Sequence, residues 1–279
     1  MPDLRDDAVI GIVAGGGALP NQLRAHLASN GRTVRTIALA GEATVSAVDA
    51  THPIGDVEGI LRSMARFGVT HAVLVGWVRR RPSLWQARVG PRALPAVPTL
   101  LRNLGRGDDA ILRAAIRAVE STGIAVVGVH ELWPELVAQA GPLGRRAPGP
   151  SHRRTIEHGA EVARVLGAYD IGQGVVAQDG RVIAVEGVEG TDGMLRRIAA
   201  MRSDGVVARP GGVLVKMCKP QQERRADLPS IGPDTIRLAA EAGLDGVAVE
   251  ATRSLVIDRN DTIRRADDLE LFVYGVEPS

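Results

Sequence analysis

The first half of the chain alternates two patterns of apolar residues. Residues 8–14 (AVIGIVA), 33–40 (TVRTIALA), 70–78 (THAVLVGWV) and 124–129 (IAVVGV) are short runs with little polar alternation. Such runs belong to strands covered on both faces. Between them, 18–29, 57–67 and 109–122 repeat apolar positions at helical spacing. Strands alternating with helices predict βαβ units around a parallel sheet.

The pattern breaks at residues 141–154, GPLGRRAPGPSHRR, where Pro, Gly and Arg leave almost nothing to bury. This stretch reads as a linker between residues 1–140 and 155–279. Beyond it the spacing predicts a helix at 155–166. Strands at 175–177 and 182–186 flank Gln178-Asp179-Gly180, whose Asp-Gly marks a tight hairpin. A helix follows Thr191-Asp192, a strand covers 213–218, and a helix starts at Pro233, tolerated in a first turn. Strands at 246–250, 255–258 and 271–276 close the chain. Hairpins mixed with crossovers give an α/β or α+β half, so the whole is expected to be an α/β protein of two domains.

Composition narrows the function classes. Lys plus Arg number 34 against 32 for Asp plus Glu, too balanced to call for nucleic acid as a partner. Aromatics at 3% leave few base-stacking platforms. The lone Cys218 excludes an internal disulfide and fits a reducing compartment. The start, MPDLRDDAVIG, has acids where an export signal carries bases, and no long apolar run follows, so a cytoplasmic protein is expected.

Three clusters carry candidate chemistry. Gly15, Gly16 and Gly17, followed by Leu19 and Pro20, lie between a strand and a helix, where backbone N–H groups and the helix dipole can meet an anion. No Gly-Lys-Ser/Thr follows, so this is not a P-loop. Pro20 stands where a dinucleotide fingerprint needs its third Gly, and no acid closes the second strand, so NAD is unsupported. A tight βα turn remains the plain alternative.

The second cluster runs from Lys216 through Lys219, Arg224, Arg225 and Asp227 to Thr235. Loops at the carboxyl ends of strands are where α/β proteins place function. The cations suit phosphate, and Asp227 suits Mg²⁺ or a water; a solvated loop is the alternative. The third cluster, Glu186, Glu189, Gly190, Thr191 and Asp192, offers carboxylates to a hard cation beside Gly residues that free the backbone. Asp192 also fits a simple helix cap. The six His residues show no metal-ligand spacing and read as surface or structural.

The blocks AGGGALP, GDDAIL (107–112), DIGQGVV (170–176), AVEGVEGTDGML (184–195), LVKMCKPQQERRADLPSIGPDTI (214–236) and GLDGVAVEATRSLVIDR (243–259) resemble the LpxI family, in order and over nearly the full length. That resemblance implies an N-terminal Rossmann-like parallel-sheet domain, a C-terminal mixed α/β domain and a cleft between them. It implies Mg²⁺-dependent hydrolysis of UDP-2,3-diacylglucosamine, a lipid-linked nucleotide sugar, to UMP and 2,3-diacylglucosamine 1-phosphate (lipid X) in lipid A synthesis, with water attacking the β-phosphorus. The family's essential aspartate falls on Asp227. Lys216 is expected to act with it, and Asp227, Glu186, Glu189 and Asp192 to supply metal ligands. Substrate contacts are expected at Gly15, Gly16, Gly17, Leu19, Pro20, Gly190, Thr191, Lys219, Arg225 and Thr235. Met217-Cys218 stands where the family usually has smaller residues, and Glu250-Ala-Thr-Arg-Ser254 where it usually has Glu-Ala-Gly; neither departure removes a charged group. The alternative from another class is a nucleotide-sugar or nucleotide-binding protein without catalysis; a homodimer is compatible with either.

Residues 79–107 contain seven arginines, no acid, and Trp85 among leucines and valines. Such a segment suits transient docking on an anionic membrane surface, peripheral to the inner membrane. A long βα loop with solvated arginines is the alternative.

Overall fold

A computed structural model describes residue 5 and residues 7–78, 108–207 and 210–278. The arginine-rich stretch expected to dock on membranes lies outside them. The chain divides into two compact units. Unit 1 comprises residues 1–134 together with Glu223–Asp227, and unit 2 comprises Glu135–Gln222 and Leu228–Ser279.

In unit 1 the apolar runs form parallel strands β1 (Val9–Ala14), β2 (Thr33–Leu39), β3 (Ala50–His52), β4 (His71–Val75) and β5 (Ala125–Val126). Their order in the sheet is β3-β2-β1-β4-β5. Helices α1 (Leu19–Ser29), α2 (Val57–Arg66) and α3 (Asp108–Glu120) link the strands, and α4 (Val129–Leu132) follows β5. Asp56 caps α2 by accepting a hydrogen bond from the Gly59 N–H at 3.1 Å. Val13, Ile37, Leu61, Met64, Ile116 and Val126 are among the side chains that fill the core. Strand and helix positions follow the sequence reading closely. The exceptions are β3, three half-exposed residues with no apolar run to announce them, β5, which pairs over two of the six residues expected at 124–129, and α4, which no pattern announces.

Unit 2 holds a six-stranded mixed sheet built from β6 (Gly141–Pro142), β7 (Gly174–Gln178), β8 (Arg181–Val185), β9 (Val213–Lys216), β11 (Gly246–Glu250) and β13 (Phe272–Val276). Their order is β6-β13-β11-β9-β7-β8. Strands β9, β11 and β13 run parallel, while β6, β7 and β8 pair antiparallel. The β7–β8 hairpin turns at Asp179 and Gly180, both with positive φ (49° and 76°), as the Asp-Gly signal predicts. A separate parallel pair joins β10 (Ser230–Ile231) to β12 (Leu255–Val256). One face of the six-stranded sheet packs on α5 (Pro150–Ala168) through Ile156, Ala160, Val175 and Val215. The other packs on α6 (Gly190–Ser203), α7 (Pro233–Glu241) and α8 (Arg259–Asp268) through Leu195, Leu214, Ile236 and Val247.

The expected linker is a correction. Gly141 and Pro142 are strand β6, paired with Gly275 and Tyr274, and Pro150 opens the first turn of α5. The two units instead divide between Pro134 and Glu135. Pro and Gly count against regular structure, but Pro is tolerated on an edge strand and at N1 of a helix, which are the places it occupies here.

Candidate active site

Strand order in unit 1 reverses between β1 and β4, the position where doubly wound sheets receive ligands at their carboxyl edge. There the Gly15 N–H donates to the Val75 carbonyl and the Gly16 N–H to the Trp77 carbonyl, each at 2.8 Å, and Trp77 N–H returns a bond to Gly16. A Cβ on Gly16 would stand 2.5 Å from the Trp77 indole. Glycine is needed at this position so that the indole can lie on the backbone. The amides of Gly15 and Gly16, expected at the substrate, are therefore engaged within the protein, and Pro20 has no N–H to give. Of the N–H groups expected to meet an anion at this turn, those of Gly17 and the first turn of α1 remain as candidates, and no side chain caps that helix.

Asp227 lies on the segment of the late sequence that belongs to unit 1. It closes a single helical turn, in which the N–H groups of Ala226 and Asp227 donate to the Glu223 carbonyl at 3.1 and 2.9 Å. Ala226 packs against the unit 1 core. Arg225 is clasped from two sides: Nε donates to Glu223 Oε1 at 2.9 Å, Nη2 to Glu223 Oε2 at 3.0 Å, and Nη1 to Glu120 Oε1 at 2.6 Å. These bonds raise the guanidinium further above its ordinary pKa and hold the Glu223 carboxyl below its own. Arg225, expected at a phosphate, thus fixes the turn that presents Asp227. Gly128 lets the segment approach, since a Cβ there would meet Arg225 Cα at 3.2 Å and the His130 ring at 2.4 Å. Burial lowers the His130 pKa, with Glu131 opposing and Arg224 reinforcing the shift, and its Nδ1 is buried without a hydrogen-bond partner.

In unit 2, Glu186 follows β8 and Lys216 ends β9, on either side of Gly174. The Glu186 N–H donates to the Gly174 carbonyl at 2.8 Å, and Gly174 pairs with Lys216. Residues opposite one another in antiparallel pairs share a face. Glu186 and Lys216 therefore point to the face that also carries Ala184, Val176 and Leu214. Both are buried, at 8% and 5% exposure. Glu186 Oε1 accepts from Thr191 Oγ1 at 2.9 Å, while Oε2 is buried without a partner. Lys216 Nζ donates to the Ser230 carbonyl at 3.1 Å.

The remaining expected residues are engaged in structure. Lys219 Nζ bonds Asp170 Oδ1 at 2.6 Å, with both groups partly buried. Glu189 accepts from Arg197 at 2.7 Å, and backbone N–H groups together with that arginine lower its pKa. Asp192 faces Arg196 across one turn at 4.0 Å. Gly190 opens α6 with φ 72°, and Thr235 Oγ1 accepts from the Gly232 N–H to cap α7.

Among the described residues, no three His, Cys, Asp or Glu side chains gather closely enough to hold a metal ion. Mg²⁺ asks less: one or two carboxylates, with water and phosphate oxygens completing its shell. Asp227, on a turn held by Arg225 and by backbone hydrogen bonds, fits that requirement. Sequence reading did not single out Gly174, Glu120, Glu223 or Ser230, and it placed His130 among the surface or structural histidines. Gly174 and Glu186 become a row with Lys216 only once register is known, and Glu120 gives no local sign of a partner 105 residues away.

Two family models match the chain: the LpxI N-terminal domain over residues 9–136 and the LpxI C-terminal domain over 139–274. The chain is 41% identical over 274 residues to the UDP-2,3-diacylglucosamine pyrophosphatase LpxI of Caulobacter vibrioides, covering 96% of this chain and 98% of that protein. Among solved structures, CobK precorrin-6A reductase is similar at 11% identity and TM-score 0.31, covering 98% of this chain and 89% of that one. The UDP-glucose 4-epimerase of Thermus thermophilus, in complex with NAD, is similar at 13% identity and TM-score 0.28, covering 97% and 86%.

Proposed function

The chain belongs to the LpxI family, and from that premise we propose that it hydrolyses the pyrophosphate bond of UDP-2,3-diacylglucosamine in an Mg²⁺-dependent reaction, releasing UMP and 2,3-diacylglucosamine 1-phosphate. The observation that carries this reading is the 41% identity to a UDP-2,3-diacylglucosamine pyrophosphatase over nearly the whole of both chains.

The chemistry asks for charge neutralisation on the diphosphate, a positioned water and a group to orient it. In our reading Asp227 meets the last two requirements. Its turn is fixed through the bonds of Arg225 to Glu223 and Glu120 and through its own N–H to the Glu223 carbonyl, which gives the carboxylate a defined backbone position. Mg²⁺, when bound, supplies charge for the phosphoryl oxygens and polarises them. Lys216 contributes a buried ammonium with N–H donors beyond the one given to Ser230. Lys219 and Arg225 are not enlisted for the phosphates, because Asp170, Glu223 and Glu120 already hold them.

No helix among the described residues is long and apolar enough to cross a membrane. We further propose that the arginine-rich stretch 79–107 brings the protein to an anionic lipid surface, since each basic residue near such a surface contributes ~1 kcal/mol before salt screening.

Incubating the purified protein with Mg²⁺ and UDP-2,3-diacylglucosamine and separating UMP from intact substrate tests the main reading. Turnover is expected. Binding without UMP release would move the protein to a non-catalytic nucleotide-sugar binder.

A further inference from the structure

Glu186 and Lys216 form an incomplete pair. Glu186 carries a buried oxygen that no donor reaches, although Thr191 serves its other oxygen. Lys216 is equally buried and gives one N–H to Ser230, with capacity for two more bonds. Between them, on the same face, stands Gly174, whose missing Cβ would lie 2.6 Å from Glu186 Oε2 and 3.5 Å from Glu186 Cβ. A buried acceptor lacking a donor and a buried ammonium with donor capacity beyond its bond to Ser230, separated by a residue without a side chain, call for one group that both donates and accepts.

We propose that the Glu186–Gly174–Lys216 row is a recognition subsite for a sugar hydroxyl. In this subsite the hydroxyl donates to Glu186 Oε2 and accepts from Lys216 Nζ. The proposal rests on the hydrolase reading and deepens it, because the substrate offers free hydroxyls on its ribose and on its glucosamine. A cation suits the row less well. The ammonium of Lys216 flanks it, and among the described residues no further carboxylates or imidazoles join Glu186 to make a metal site. Gly174 is required because a methyl group there would take the space beside the carboxylate.

The test needs no turnover. Wild-type, Glu186→Gln and Gly174→Ala proteins are titrated calorimetrically with UMP and, separately, with 2,3-diacylglucosamine 1-phosphate in detergent. Both variants are expected to lose about tenfold or more in affinity for one product and to keep the other, as befits one charged hydrogen bond removed. Loss for UMP assigns the row to ribose, and loss for the diacyl sugar phosphate assigns it to glucosamine. Should circular dichroism show Gly174→Ala unfolded, the near-isosteric Glu186→Gln carries the test. Wild-type affinity for both products in folded Glu186→Gln overturns the proposal and leaves the hydrolase reading standing. A wild-type protein that binds neither product overturns both.

Discussion

Two glycine sites at strand ends make an instructive contrast. After β1, Gly15 and Gly16 look like a phosphate cradle, yet their N–H groups bond carbonyls at the end of β4 and beyond it, and an indole occupies the space that glycine opens. At Gly174 the opened space is lined by a carboxylate oxygen with no donor, and the paired residue is a buried lysine. A missing side chain creates room in both places. Only the second leaves polar capacity facing that room. What a glycine contributes to function is thus decided by whether its neighbours' hydrogen-bonding groups are already satisfied.

The sharpest way to break this contrast is to change the polar groups that it puts to work. Asp227→Asn should lower kcat by about 10³-fold while thermal unfolding stays near wild type, since loss of a positioned acid–base or cation-holding carboxylate acts on the transition state. Retention of activity within a few-fold would remove Asp227 from the site. Lys216→Met should cost about 10²-fold in kcat/KM, as for removal of one charge-stabilising donor. Lys219→Met, whose ammonium serves Asp170, should leave kcat within a few-fold, and equal losses at both lysines would show that the ion pair to Asp170 is not its main task. Gly16→Ala should destabilise unit 1 by about 2 kcal/mol through overpacking on Trp77, with little change in KM for folded enzyme. A large KM change at unchanged melting temperature would restore the cradle reading. The smallest effect is expected from Lys219→Met on stability, about 1 kcal/mol, because the pair is only partly buried.

Much of the fold was legible because burial on both faces writes itself as apolar runs. Strands β1, β2, β4 and β11 stand within a few residues of where their runs place them. Helix α8 gave no such sign: RNDTIRRADD buries only Thr262 and Ala266, so no apolar stripe marks it. Strands β6 and β10, two residues each, are defined by partners distant in sequence and not by their own pattern. At the candidate site, the sequence shows which residue types are present but not which of them pair. Arg225 and Lys219 read from the sequence as phosphate ligands, and their carboxylate partners Glu120 and Asp170, 105 and 49 residues away, were not legible there. The row of Glu186, Gly174 and Lys216 depends on strand register, which three separate stretches of chain define together.

The late turn Glu223–Asp227 has a consequence for biogenesis. Unit 1 is assembled from the amino-terminal portion plus a short turn translated long after it. On the ribosome the nascent amino-terminal unit can fold early, but Glu120 must wait for Arg225, and the surface at Gly128 stays uncovered until that turn is synthesised. Asp227 is therefore delivered by the last step of the unit's assembly. A gene cut at residue 134 would yield an amino-terminal fragment lacking a piece of its own body, and swapping such fragments between relatives would require transplanting the turn as well.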